Sequence, residues 1–261
     1  MSVSLLGVMA ALPQELGDLI DAMHLAGGVR TETIGRRQYH VGMAHGVPCA
    51  VTLARVGKVA AAATASALIH VFGVDAIVFT GVAGGVRDDV RVGDIVIGET
   101  LMQHDLDASP LFPRFEVPLL GMARFASDAK LSADLAGACA AFLADEHAAL
   151  ERRFGVHPPR LHRGLIVSGD RFVSSHDEVN ALRAALPDAL AVEMEGAAIA
   201  QVCFEYAVPC AVVRTVSDTA DADAPESFLE FLHALGGTYS SGILRRFLAA
   251  RALNGGLDIP S

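Results

Sequence analysis

The chain lacks the features that would place it outside a reducing compartment or on a charged polymer. Its four cysteines, at 49, 139, 203 and 210, form no CxxC pair and sit in apolar surroundings. Neither a disulfide framework nor a thiolate metal site is expected, and all four read as reduced core residues. Clustered basic residues are also missing: Arg36-Arg37, Arg152-Arg153 and Arg245-Arg246 are short and scattered in a chain of formal net charge −10. Nucleic acid and anionic membranes are therefore excluded as partners, because both are held by grouped Lys and Arg. No unbroken apolar run is long enough to span a bilayer. The start, Met1-Ser2-Val3-Ser4, carries no basic region and leads straight into an apolar strand, so no signal peptide is expected and the expected location is the cytoplasm. No Pro/Gly/Ser-rich linker or repeat divides the 261 residues, which predicts one domain over 1–261.

What is present is an apolar chain, 52% hydrophobic and 19% charged, enough for a large core. Val208-Pro209-Cys210-Ala211-Val212-Val213 reads as a buried strand, followed by Arg214 and the polar segment Thr215-Val216-Ser217-Asp218-Thr219-Ala220-Asp221. In open α/β sheets ligands gather where such strands stop, so Asp218 is a candidate for chemistry, with capping of a following helix as the alternative. Val3 to Ala11 is another apolar run, and Pro13 after it suits the first turn of a helix. Glu15 falls in that turn, where it either serves chemistry at the mouth of the sheet or complements the helix dipole.

Further on, Arg37–Met43 and Pro48–Ala54 predict a hairpin turning at His45-Gly46. Arg55-Val56-Gly57-Lys58 supplies a glycine turn before an alanine-rich helix, and Asp75–Thr80 predicts a strand followed by a glycine turn, Gly81-Val82-Ala83-Gly84-Gly85. That turn matches neither a dinucleotide nor a P-loop fingerprint. A strand over Val92–Gly98 follows with no helix between, which predicts a mixed sheet. The irregular segment from Gln103 to Gly121 carries Leu111, Phe112, Pro113 and Phe115 and reads as a lid or a subunit contact. His104-Asp105 within it has no further ligand spacing to support a metal.

A long helix is predicted over Asp128–Glu151, then a loop over Gly155–Arg160, a strand over Arg163–Asp170 and a capped helix over Asp177–Ala185. Glu193-Met194-Glu195 then places two acids between an apolar strand and an apolar helix. Burying them is costly without a polar partner, and sugar hydroxyls or Arg214 are the available ones. The C-terminal helix, roughly Ser227–Ala252, is predicted to be interrupted or bent near Gly236-Gly237.

Ser168-Gly169-Asp170-Arg171-Phe172, Val192-Glu193-Met194-Glu195-Gly196-Ala197-Ala198-Ile199-Ala200 and Val213-Arg214-Thr215-Val216-Ser217-Asp218 together resemble the 5′-methylthioadenosine/S-adenosylhomocysteine nucleosidases of the purine and uridine phosphorylase superfamily. Ala10–Glu15, Gly57–Ala60 and Thr80–Gly85 extend the resemblance in the same order over nearly the whole chain. It implies an α/β three-layer sandwich with a central twisted mixed sheet, usually a homodimer, that hydrolyses the N-glycosidic bond of an adenine nucleoside without a cofactor or metal. By the resemblance, Asp218 protonates or hydrogen-bonds purine N7, Glu15 activates the water, and Arg214 orients the acid and the water. Glu195 holds the ribose hydroxyls with Met194 against the sugar, Phe172 and Val173 contact adenine, and Phe228 stacks on it. Val82, Ala83 and Gly84 line the substrate site, and Leu111, Phe112 and Pro113 belong to the lid or the 5′ group.

The same scaffold uses phosphate in its phosphorylases, but the phosphate-holding places correspond here to Phe79 and Val82, and the buried Glu15 would repel an anion. A phosphorylase is thus the alternative enzyme, and a binding module without catalysis is the alternative of another class. Two departures stand out: Val82 where nucleosidases commonly have serine, and Arg55 where they commonly have glycine. Arg55 is either a solvated surface cation or a ligand for an anionic substrate group or phosphate.

Overall fold

The computed structural model describes residues 4–154, 158–220 and 224–255. Val3, the first half of the expected loop, 155–157, and Asp221 lie outside the described residues.

Strand β1 (Leu6–Ala10) is buried along its whole length and pairs in parallel with β4 (Val47–Leu53) and β5 (Ala76–Gly85). Its continuous apolar run follows from having both faces covered. Leu6, Val8 and Ala10 pack into one core with Leu19, Met23, Leu131, Leu135, Ile243 and Leu244, whereas Met9 packs into another with Ala61, Ala65, Ala197 and Ile199. The alternation separates a helical layer on one face, α1 (Leu19–Ala26), α3 (Ala129–Phe154) and α7 (Gly237–Gly255), from α2 (Lys58–Ala67) and α5 (Gly196–Glu205) on the other. This is the expected three-layer arrangement around a mixed sheet.

The remaining strands are β2 (Arg30–Ile34), β3 (Arg37–Ala44), β6 (Ile95–Gln103), β7 (Arg124–Ala126), β8 (Leu161–Ser168), β9 (Ala189–Glu193) and β10 (Cys210–Asp218). β2, β3 and β4 form an antiparallel extension beyond β1. At the other end the sheet curls on itself: β5 pairs with β10, β10 with β6, β6 with β8, β8 with β9, and β9 returns to β5 at Gly84 and Gly85. The C-terminal ends of β5, β9 and β10 are brought together by that closure.

The predicted hairpin is present, and its turn residues His45 and Gly46 have φ of 47° and 85°. Helix α4 (His176–Ala185) is capped by Ser175, whose Oγ accepts from the Glu178 backbone at 3.3 Å. The C-terminal helix is interrupted near the expected glycines: α6 (Ala224–Phe231) runs through a π-helical turn at Leu232–Gly236 into α7. One local expectation is corrected. Gly81–Gly85 is the end of β5, paired to β10 and β9, and not a turn. Its glycines serve close packing, because a Cβ on Gly81 would lie 2.6 Å from Glu15 Oε1 and one on Gly84 2.9 Å from Asp218 Oδ1.

Candidate active site

β10 continues through the polar residues to Asp218, with a register shift between Val216 and Asp218 where it pairs with β5. Ser217 is the extra residue of this bulge, and such a bulge re-aims the side chains beside it. The Asp218 carboxylate is buried: Oδ2 accepts from Ser217 Oγ at 2.8 Å and Oδ1 from the Ala220 amide at 2.9 Å. The second bond closes a turn of the Asx type, and Thr219 and Ala220 directly after Asp218 are not helical, so the helix-capping alternative does not describe this aspartate's position.

Glu15 sits in a single 3-10 turn, Pro13–Leu16, directly after β1. Its Oε2 accepts from the amides of Ala11 at 2.9 Å and Leu12 at 2.7 Å, and Oε1 accepts from the Val82 amide at 2.9 Å. Three backbone donors fix the carboxylate, two from the segment just after β1 and one from β5. Burial raises its pKa above the ordinary glutamate value, against the opposing pull of Arg214 and these amides.

Arg214 is fully buried on β10. Its guanidinium lies 3.8 Å above the Phe79 ring, and Nη2 donates to Glu193 Oε2 at 2.6 Å. Glu193, at the end of β9, also accepts from Ser168 Oγ and from the amides of Glu195 (3.1 Å) and Gly196 (2.9 Å) where α5 begins. Glu195 stands further from the cation, 3.9 Å from Nη2, and accepts from the Gly57 amide at 2.8 Å. Burial and the neighbouring Glu193 charge push its pKa up to about 8. The two acids around Met194 thus differ in partner: Glu193 meets the arginine and Glu195 the Gly57 amide.

These groups open on one cavity of about 420 Å³. Asp218 and Ser217, Glu15, and Glu193 with Met194 and Glu195 contribute its polar wall; Val82, Ala83 and Gly84 form its floor. Phe172 and Phe228 meet edge to face over it, centroids 5.7 Å apart, with Val173 beside them. Ala11, Leu12, Val56, Arg171 and Val192 complete the lining. Four expected residues fall elsewhere. Arg214 does not line the cavity, and its short bond is to Glu193, so it positions other groups instead of touching the space a ligand would fill. Leu111, Phe112 and Pro113 are not in the lining either, and Leu111 is 84% exposed. Among the described residues no group of three or more His, Cys, Asp or Glu could hold a metal ion, and in the loop Asp105 is taken by Lys58 at 2.6 Å.

The matched family model is that of the phosphorylase superfamily, over residues 5–249. The chain belongs to this superfamily. Among its superfamily relatives, the 5′-methylthioadenosine/S-adenosylhomocysteine nucleosidase of Haemophilus influenzae (strain PittGG) is 37% identical over 229 residues, 87% of this chain and 91% of the relative. The aminodeoxyfutalosine nucleosidase of Helicobacter pylori (strain J99 / ATCC 700824) is 34% identical over the same shares. The superfamily fold is matched by the Neisseria meningitidis 5′-methylthioadenosine/S-adenosylhomocysteine nucleosidase in complex with methylthio-immucillin-A, with a TM-score of 0.83, 34% identity, and coverage of 95% of this chain and all of that one.

Four contributors to this superfamily site were not singled out as such from the sequence. Ser217 and Ser168 donate to Asp218 and Glu193, the Gly57 amide donates to Glu195, and Glu193 itself holds Arg214. The one available signal was the pair of acids around Met194, which needed a polar partner, sugar hydroxyls or Arg214, without saying which acid took the arginine.

Proposed function

We propose that the chain hydrolyses the N-glycosidic bond of 5′-methylthioadenosine, S-adenosylhomocysteine or a related adenine nucleoside, releasing adenine. The observation that carries this reading is that Asp218 and Glu15, two buried carboxyl groups, face one cavity from seats at Gly84 and Gly81 of a single strand. Three residues of strand separate those seats by about 10 Å, room for a purine and a sugar between an acid and a base.

In this assignment Asp218 gives a proton to purine N7 as the C1′–N9 bond breaks, and the sugar passes through an oxocarbenium-like state. Glu15 takes a proton from the water whose oxygen bonds to C1′. The burial that raises its pKa makes it a stronger base than a solvated glutamate. Glu195 meets the ribose hydroxyls, Met194 packs against the sugar, and Phe172, Val173 and Phe228 enclose the base. Arg214 acts at one remove, through Glu193 and through its charge beside Glu15 and Glu195.

Water is favoured over phosphate as nucleophile. The positions where phosphorylases hold phosphate are apolar, with Val82 in the cavity wall and Phe79 covered by Arg214. A binding module without catalysis is disfavoured because the acids a glycosidic cleavage needs are all present and aimed at the cavity. A homodimer belongs to the same proposal, supported by apolar side chains left exposed at Leu111 and Leu119. So does a cytoplasmic location, supported by four free buried cysteines; no helix among the described residues is long and apolar enough to cross a membrane.

The test is adenine release from methylthioadenosine in phosphate-free buffer. Release at the same rate with and without phosphate is expected, whereas release that requires phosphate makes the protein a phosphorylase.

A further inference from the structure

A second recess, of about 500 Å³, opens beside the nucleoside cavity and shares Ala11, Leu12 and Val56 with it. Its wall is cationic. Arg36, Arg37, Arg55 and His40 line it, and no aspartate or glutamate does, in a chain that carries −10 overall. Burial lowers the His40 pKa, so the positive charge there belongs to the arginines.

Two of the three arginines, Arg37 and Arg55, are tied to the backbone, and all three are left without counter-charge among the described residues. Arg37 donates from Nε to Ala54 O and from Nη1 to Gly35 O, both at 3.1 Å, and Arg55 Nη2 donates to Arg36 O at 2.6 Å. Carbonyl acceptors orient a guanidinium but do not neutralise it. Among the described residues none of the three has a carboxylate partner, whereas Arg87, Arg124 and Arg246 are each paired with one. Arg36 and Arg55 also hold left-handed backbone, φ 61° and 69°, which non-glycine residues adopt at a conformational cost.

The direction of the recess follows from the sugar's place. Glu195 is bonded to the Gly57 amide, next to Val56, so the ribose end of the cavity adjoins the shared wall while Asp218 stands at the Gly84 end. A substituent leaving C5′ passes Leu12 and Val56 into the cationic space. We propose that Arg36, Arg37 and Arg55 form a subsite for a carboxylate at the end of a long 5′ substituent, which makes this chain selective for tailed, acidic adenine nucleosides. The subsite rests on the nucleosidase reading above and adds the substrate's far end to it.

The test compares kcat/KM for substrates with a tail carboxylate and for counterparts of the same length without it, in the wild-type chain and in Arg36→Gln/Arg55→Gln. One pair carries an amino-acid tail, S-adenosylhomocysteine against its decarboxylated form. A second carries a carboxyaryl tail against the unsubstituted aryl. The wild type is expected to favour the acid in at least one pair, and the double variant to lose about tenfold of that preference, the worth of one charged contact. The pair that responds identifies the tail. Because each preference is a ratio within one protein, a general loss of activity in the variant cancels. A ratio unchanged within about twofold for both pairs overturns the subsite while leaving the nucleosidase reading intact. Failure of the wild type to release adenine even from methylthioadenosine overturns the nucleosidase reading, and the subsite with it.

Discussion

Arg214 donates to Glu193 at 2.6 Å with both side chains sealed from solvent, so this buried cation is committed to Glu193 and not to Glu195, the acid proposed to meet the sugar. Glu195, 3.9 Å from the same nitrogen, remains a carboxyl group buried beside a carboxylate. Several measurable properties depend on that allocation.

The first is the pH dependence of stability. Glu195 has a pKa pushed up to about 8 by burial and by Glu193, whereas in the unfolded chain it titrates in the ordinary range. Its neutral form is compatible with the fold at low pH, and stability is lost as pH rises towards 8 and the folded chain resists ionisation. Glu195→Gln removes that loss. Denaturant titrations from pH 5 to 8 are expected to show the variant gaining roughly 3 kcal/mol on the wild type across the window. A constant difference would mean that Glu195 is ionised throughout.

The second concerns the close approach at Gly81. A Cβ there would stand 2.6 Å from Glu15 Oε1 and 2.7 Å from Arg214 Nη1, so Gly81→Ala displaces a carboxylate that three backbone amides otherwise fix. A shift of this size in a reacting group costs on the order of a hundredfold in rate. The expected outcome is that loss in kcat with a folded protein by circular dichroism. Gly137→Ala, in α3 where a Cβ would meet nothing within 4 Å, is the control and leaves kcat unchanged.

The third is the acid limb of the rate profile. Glu15 must be ionised to take a proton from water, and burial holds its pKa above the ordinary glutamate value. As pH falls through that raised pKa, kcat/KM falls with it, and the limb lies at higher pH than a solvated glutamate would place it. Glu15→Gln is expected to abolish the limb together with most of the rate. An unchanged limb in the variant would assign it to another group.

Much of this site was legible because strand ends and acids leave marks in a linear sequence. The apolar runs before Glu15, Glu195 and Asp218 located three strand ends, and the order of motifs along the chain joined them. What was not legible depended on pairing. Gly81–Gly85 read as a turn because glycine punctuates loops, whereas here glycine admits Glu15 and Asp218 against a strand. β2 escaped notice because its residues, Arg30 to Ile34, are partly or largely exposed at the sheet edge and form no apolar run. The partner of Arg214 is 21 positions away on another strand, and nothing local distinguishes Glu193 from Glu195. The lid residues carried the right composition for a substrate contact, but the 105–121 segment folds on itself through Phe115 to Leu106 and Val117 to Met122, and in this chain Leu111 faces outward.

The division of labour between the two carboxyl groups is tested most directly by a leaving group that needs no proton. Asp218→Asn is expected to lower kcat/KM on methylthioadenosine by at least about a hundredfold. On nitrophenyl 5-methylthioriboside, whose nitrophenolate departs as a stable anion, the same variant should stay within about tenfold of the wild type, while Glu15→Gln should be impaired on both substrates. An equal loss for Asp218→Asn on both substrates would contradict its role as the acid at the purine.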